Sequence, residues 1–405
     1  MIGSPAVARF ANIEDVRQRA RRRLPRFLFD FVEGGADDEV TVHANRRAFG
    51  DYAFRARTLV DVSTRDLSTT LLGQRLALPV ILGPVGLAGL LAPRGEVLAA
   101  EAAARKETVF VLSTMSVCTI EEVAAASPAS RWFQLYIWKD REVTRSLVER
   151  ARAAGYSALC LTVDVPDMGN RERDVRNGFV VPPRPTPSNV LDLLLHLGWV
   201  MRMTRSPRAT FGNFLDTKAL SRRDAVSVAG YTSRQFDQSV TWADVEWLRG
   251  LWPGPLVLKG ITTAEDARRA VQHGVEAIVV SNHGGRQLDG LPGALDVLPE
   301  IVEAVEGRAE IVLDGGVRRG SDVVKALALG ARACMIGRPF LYGLAAGGQG
   351  GVELVLELLR KEIDRTLLLL GCPRVAQLDA SYLRGPEGAH AGGGIQRAAL
   401  KSLAG

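Results

Sequence analysis

Apolar runs a few residues long alternate with amphipathic stretches through most of the chain. The runs are Pro79–Leu82, Thr108–Leu112, Trp132–Tyr136, Ala158–Val163, Leu256–Lys259, Ala277–Val280, Glu310–Leu313 and Ala333–Ile336. Their length and β-branched content predict eight buried strands. Between them, apolar positions recur at helical spacing, most clearly over Asp140–Ala154 and Thr263–His273. Ahead of the first strand, Ile13, Val16, Ala20, Leu24, Phe27, Leu28, Phe31 and Val32 keep the same spacing. Pro25 splits that stretch into two helices and Gly34-Gly35 ends the second. After the last strand, Leu341–Ala346 and Val352–Leu370 read as helices. Eight strand–helix units predict a parallel (β/α)8 TIM barrel. A doubly wound sheet is the alternative, but no G-x-G-x-x-G follows any strand, which weakens a dinucleotide fold.

The strands end on polar residues: Ser113, Gln134, Tyr136, Thr162, Asp164, Lys259, His283, Arg286, Asp314 and Arg338. Each alone reads as a cap or loop residue. A barrel gathers its strand C-termini on one face, so together they predict a shared site. Ile278–Gln287 is the most informative stretch. A β-branched run stops at His283, two glycines follow, and Arg286 comes next. Histidine moves protons near neutral pH. Arginine offers a planar fork of donors to a carboxylate. The bland reading is a satisfied histidine in a surface loop.

Residues 1–385 read as one domain, with an insertion at 181–239 and a loose tail over 386–405. The insertion opens with Val181-Pro182-Pro183-Arg184-Pro185. It continues as the apolar stretch Val190–Met203, which contains Arg202 and is followed by Arg205 and Arg208. That stretch suits a helix lying in an anionic membrane interface. It equally suits a helix packed on the barrel or on a neighbouring subunit. No run approaches the ~18 apolar residues of a spanning helix.

The chain has 405 residues, 47% of them hydrophobic, enough for one large barrel. The net charge of +6 comes without a lysine-rich tail or an aromatic–basic ladder, which excludes a nucleic-acid binder. Cys118, Cys160, Cys334 and Cys372 are far apart, with no C-x-x-C. They predict buried thiols, a reducing compartment and no structural metal. The N-terminus carries Arg21-Arg22-Arg23 and no apolar signal core, so a cytoplasmic protein is expected, either soluble or peripheral on the inner face of the cell membrane.

Ser281-Asn282-His283-Gly284-Gly285-Arg286-Gln287 resembles the signature of the FMN-dependent (S)-2-hydroxy acid oxidase and dehydrogenase family. The resemblance runs from about Leu24 to about Leu383. It implies FMN as cofactor, with Pro84-Val85-Gly86 lying beneath the flavin. It implies ring contacts from Ser113, Gln134, Thr162 and Lys259, with Ser281 in the same site. The phosphate would lie on Asp314, Gly315, Gly316, Arg318, Gly337 and Arg338. His283 matches the family's base and Asp164 the carboxylate that orients it. Arg286 and Arg171 match groups that hold the substrate carboxylate, and Tyr136 a hydroxyl near the substrate oxygen. The chain departs from the pattern at Phe31, where the family usually has a tyrosine that binds the carboxylate. Gly86 stands where family oxidases commonly have alanine and quinone-linked members have glycine. The implied activity is oxidation of an (S)-2-hydroxy acid to the 2-oxo acid, with electrons passed to quinone. A soluble oxidase reducing O2 and a flavin-binding or membrane-interaction protein that has lost turnover are the alternatives. A homotetramer is expected from the resemblance.

Overall fold

The computed structural model describes residues 10–127, 129–179, 187–204, 206, 209–214 and 235–385. Eight parallel strands close into a barrel: β1 Val80–Leu82, β2 Phe110–Ser113, β3 Arg131–Leu135, β4 Ala158–Thr162, β5 Leu256–Ile261, β6 Ala277–Val280, β7 Glu310–Asp314 and β8 Ala333–Ile336. Closure is made by β8 on β1, with Cys334 opposite Val80 and Met335 opposite Ile81. Each strand falls on its predicted run, with ends shifted by up to two residues. The barrel excludes the doubly wound alternative.

Alternation along the strands sorts the core into two layers. Ile81, Val111, Trp132, Cys160, Val257, Val279, Val312 and Met335 point into the barrel. Their neighbours Leu82, Leu112, Phe133, Leu161, Leu258, Val280, Leu313 and Ile336 point outward against the helices. Both faces are buried, which is why these strands read as unbroken apolar runs. Leu71 and Leu76, from the hairpin Thr69–Leu71 and Gln74–Leu76, join the inner cluster. That hairpin closes the end opposite the site, since Leu72 N–H donates to Glu310 at the start of β7.

The N-terminal helices form as the spacing predicts. Helix α1 spans Ile13–Arg21 and α2 spans Arg26–Glu33, with Pro25 at the junction. Arg286 and Arg338 together tie down the C-terminal end of α2. Arg286 Nη1 donates to the carbonyls of Phe31 and Gly34, each at 2.7 Å. Arg338 Nε and Nη2 donate to those of Val32 and Gly34 at 3.0 and 2.9 Å. Two cations thus satisfy orphan carbonyls at a helix C-terminus, and α2 is held over the C-terminal face of the barrel. A further helix, α3 (Val40–Arg47), follows it.

The long C-terminal helix, α4 (Arg338–Leu370), breaks at Gly347-Gly348, where Gly348 has φ +61°. The sequence places that break correctly but misses that the helix starts at the end of β8. In the insertion, the single predicted helix over Val190–Met203 is instead two. Pro187–Leu195 and Leu197–Met203 meet at His196. His196 Nδ1 bonds the Asp192 carbonyl at 2.7 Å and its N–H turns to Leu193, which interrupts the regular ladder. Trp199 is buried, with Nε1 donating to Leu90 O at 2.9 Å and its ring edge on Phe27. Leu191, Leu195 and Met201 are 69%, 76% and 63% exposed, so one face packs and the other faces outward. Residues 181–185, Arg205, Arg208 and the tail 386–405 lie outside the described residues.

All four cysteines are buried and free. Among the described residues no helix is long and apolar enough to cross a membrane, and no group of side chains could hold a metal ion.

Candidate active site

The strand C-termini surround a cavity of about 930 Å³, a size suited to a cofactor with a small substrate. Its lining includes Pro84, Val85, Gly86, Ser113, Tyr136, Arg171, Lys259, His283 and Arg286. Phe31 of α2 lines it from above, and Asp314, Gly315, Gly316, Arg318, Gly337 and Arg338 line it beyond β7 and β8. Gln134, Thr162, Asp164 and Ser281 are not among the lining residues.

His283 leaves β6 with φ +57°, and Gly284 and Gly285 continue in the same left-handed region. For a histidine this backbone costs about 1–2 kcal/mol. Several bonds hold it there. Its N–H donates to Ser281 Oγ at 3.0 Å. Asn282 and Asn45 of α3 exchange side-chain amide bonds at 2.8 and 2.9 Å, both buried. Asn45 Oδ1 also accepts from Ala294 N at 2.9 Å. Gly316 shows why a glycine follows β7: at φ +77°, a Cβ there would lie 2.0 Å from the Asn45 carbonyl oxygen. One helix residue therefore locks both the His283 loop and the Gly315-Gly316 turn.

His283 Nδ1 lies 2.9 Å from Asp164 Oδ1. Burial alone would raise the Asp164 carboxyl, but His283 and Lys259 outweigh it and hold it below the usual carboxylate range. Burial pushes the His283 imidazole down; Asp164 opposes this, while Lys259 and Arg171 add to it. At neutral pH the pair is a carboxylate beside a neutral imidazole. The proton then sits on Nδ1, and Nε2 is left with a lone pair for a substrate. Asp164 Oδ2 is buried with no hydrogen-bond partner.

Lys259 Nζ reaches Asp314 Oδ2 and Ser281 Oγ, both at 2.9 Å, and Ser281 Oγ donates on to Asp314 Oδ2 at 2.8 Å. Burial would lower the lysine, yet Asp314 and Asp164 raise it, so the ammonium is retained. Ser281 is thus the bracket between Lys259, Asp314 and the His283 backbone rather than part of the cavity wall. Burial, Arg171 and Arg338 all press the Arg286 guanidinium down, as expected where cations crowd without enough anions. Gln287, the last residue of the signature, braces the segment after β4: its amide donates to Asp167 O at 2.7 Å and accepts from Gly169 N at 3.1 Å. The Arg338 guanidinium is committed to the carbonyls of Val32, Gly34 and Gly284.

The residues present fit a flavin. Gln134 Nε2 and Thr162 Oγ1 are buried without partners, and both lie at strand ends, Thr162 directly opposite Lys259. Gln134 Oε1 accepts from Ser113 Oγ and Thr114 N, which aims the amide nitrogen elsewhere. Unpaired buried donors at this density call for a polar ligand. The Gly315-Gly316 turn and the N-terminus of α4 at Gly337 supply backbone N–H groups of the kind that hold phosphate.

The insertion, expected from the sequence to line the pocket, does so through Phe211 and Phe236, while the rest of the apolar wall, Met115, Val165, Met168 and Phe179, was missed. These lie in irregular segments with no periodicity to mark them; the aromatic content around the insertion was the only signal. Asn45 was also missed, since a polar residue on a helix carries no pattern.

A closed barrel with an excess of cations and unpaired buried donors at its strand ends suits a flavin-dependent oxidoreductase. Residues 20–385 match the family model described as FMN-dependent dehydrogenase, and the chain belongs to that family, with FMN as its cofactor. It is 48% identical over 385 residues to an L-lactate oxidase of Nostoc sp., covering 93% of this chain and 99% of that one. An L-lactate dehydrogenase of Pseudomonas syringae pv. syringae is 44% identical, with 92% and 98% covered. The crystal structure of the monotopic membrane protein (S)-mandelate dehydrogenase superposes with a TM-score of 0.89 at 42% identity, over 93% of this chain and 100% of that one.

Proposed function

We propose that this enzyme oxidises an (S)-2-hydroxy acid of lactate- to mandelate-like character to the 2-oxo acid and delivers the electrons to a membrane quinone. The observation that carries the reading is the His283–Asp164 pair opening onto the same cavity as Arg286 and Arg171. Arg286 and Arg171 hold the substrate carboxylate. Neither has a carboxylate within bonding distance among the described residues, so their charge is available. His283 Nε2 accepts a proton, from the α-carbon or from the hydroxyl, and Asp164 stabilises the resulting imidazolium. Tyr136, its phenol pushed up to about 12 by burial and the Asp164 charge, stays protonated and donates to the substrate oxygen. Bound FMN supplies the two-electron acceptor, and Lys259 keeps positive charge beside it. Phe31, Phe179, Phe211 and Phe236 favour an apolar or aromatic side chain over that of glycolate.

Gly86 and the exposed apolar face of the insertion support the membrane-linked dehydrogenase. The similarity to an L-lactate oxidase keeps a soluble enzyme reducing O2 to H2O2 as the second reading. Anaerobic bleaching of the flavin with (S)-lactate, (S)-mandelate and glycolate tests the substrate. Reoxidation with O2 against a soluble quinone tests the acceptor, and fast reoxidation by O2 overturns the dehydrogenase. His283→Ala should bind FMN but fail to bleach; normal bleaching refutes the assigned base.

A further inference from the structure

Beside the insertion helices is a pair of cations that the chemistry above leaves unused. Arg23 lies in the turn between α1 and α2, and Arg202 lies in the second insertion helix. The two segments are packed together. Phe27 meets Trp199 at 6.1 Å, and Arg26 N–H donates to Asp192 Oδ2 at 2.6 Å. Arg23 has one nitrogen on the Ala346 carbonyl. Burial lowers its pKa, and so do Arg202 and Arg19, while no carboxylate opposes them. Arg202 is lowered by burial alone, and its Nη2 is enclosed with no acceptor. An enclosed guanidinium nitrogen without a partner, on a segment packed against a second guanidinium, is costly in a soluble fold. It is the arrangement an anion would complete.

The surroundings say which anion. Leu194, Leu195, Leu197 and Met201 are all more than half exposed on the same two helices. An anion bound here would have apolar surface alongside it, as a phosphodiester headgroup does at the edge of its acyl chains. We propose that Arg23 and Arg202, backed by Arg19, form a seat for the phosphate of an anionic phospholipid. The outward leucines and Met201 enter the acyl region beside it. This rests on the membrane reading above and adds to it a defined headgroup site that reaches back into the N-terminal helices. Lipid engagement is then clamped between α1–α2 and the insertion, and α2 is also the helix that carries Phe31.

The test is cosedimentation of the FMN-loaded enzyme with phosphatidylcholine vesicles and with vesicles enriched in phosphatidylglycerol. The wild type should bind both and prefer the anionic ones. Each of Arg23→Gln and Arg202→Gln should lose on the order of fivefold of that preference, and the double variant roughly thirtyfold. Their binding to phosphatidylcholine and their flavin spectrum should be unchanged. Leu194→Asp with Leu195→Asp should abolish binding to both vesicle types. A double arginine variant with wild-type preference for phosphatidylglycerol overturns the headgroup site and leaves the membrane reading standing. A wild type that binds neither vesicle overturns both.

Discussion

Replacing Asp164 by asparagine isolates the charge behind the base. The amide is nearly isosteric, and its Oδ1 can still accept from His283 Nδ1, which now stands at 2.9 Å. What is lost is the carboxylate facing an imidazolium that forms only as the proton moves. Two unit charges about 4 Å apart interact by about 4 kcal/mol at an effective dielectric of about 20, the value suited to such sites. Most of that is absent before proton transfer, because His283 starts neutral. The loss therefore falls on the barrier, and about 3–4 kcal/mol is a slowing of about 100- to 1000-fold. Anaerobic stopped-flow reduction of the flavin measures it directly. The pH dependence supplies a second readout. His283 is already depressed from 6.5 by burial, and Asp164 is the influence raising it. Without the carboxylate, the acid limb of the reduction profile should move further toward low pH. A slowing under tenfold, or a slow variant whose acid limb stays put, would refute the assignment of Asp164 as the electrostatic partner of the base.

Phe31→Tyr should place a hydroxyl at the cavity roof beside Arg286, whose guanidinium lies 5.1 Å from the ring centroid. A hydrogen bond to a charged carboxylate is worth about 1.5–3 kcal/mol, so the substrate dissociation constant should fall at least tenfold with the reduction rate little changed; equilibrium titration with (S)-mandelate checks it. Gly86→Ala would bring a Cβ to 3.1 Å from Met115 Cβ and 3.3 Å from Met115 O. It should destabilise the holoenzyme by about 1–3 kcal/mol in a thermal melt, with Met115→Gly, which removes the facing Cβ, recovering part of the loss in a double-mutant cycle. Asn45→Ala removes the partner of Asn282 Oδ1 and of the Ala294 N–H, and should cost about 1–3 kcal/mol while slowing flavin reduction. His283 has its folded pKa below 6.5, so its contribution to stability is present above that pH and is lost as pH falls through the folded value. Apoprotein melts between pH 5 and 8 should show that slope, and His283→Asn should flatten it.

The barrel was legible because its strands are buried on both faces, which turns each into an unbroken apolar run ending in one polar residue. Asp164, Lys259, His283, Arg286 and Asp314 could be read as a site because topology alone places strand ends together. Their pairing could not. That Lys259 closes directly on Asp314, with Ser281 bonded to both, depends on side-chain reach across β5, β6 and β7, which no spacing along the chain encodes. The break at His196 was hidden because Val190–Met203 keeps helical composition throughout, and a side-chain bond to a carbonyl overrides it. Asn45 was invisible for a related reason: its role is to satisfy two distant loops, and only the fold brings those loops to it.

Charge accounting around the cavity explains why Phe31 is tolerable. Asp314 is matched by Lys259, and Asp164 is committed to His283. Asp174 is the remaining carboxyl, and burial raises it, against the pull of Arg286 and Arg171. Arg171, Arg286, Arg318 and Arg338 are therefore left in excess. Arg338 is held by the carbonyls of α2 and Gly284, which fixes where the excess sits. The two anions the site must take, a cofactor phosphate and a substrate carboxylate, are what balance it. On the proposed roles of Arg286 and Arg171, a tyrosine hydroxyl would add one neutral donor to an attraction already dominated by charge. Its loss lowers affinity without removing the anchor, and the ring that replaces it is stacked on Phe179 at 4.8 Å, extending the apolar wall toward a larger side chain.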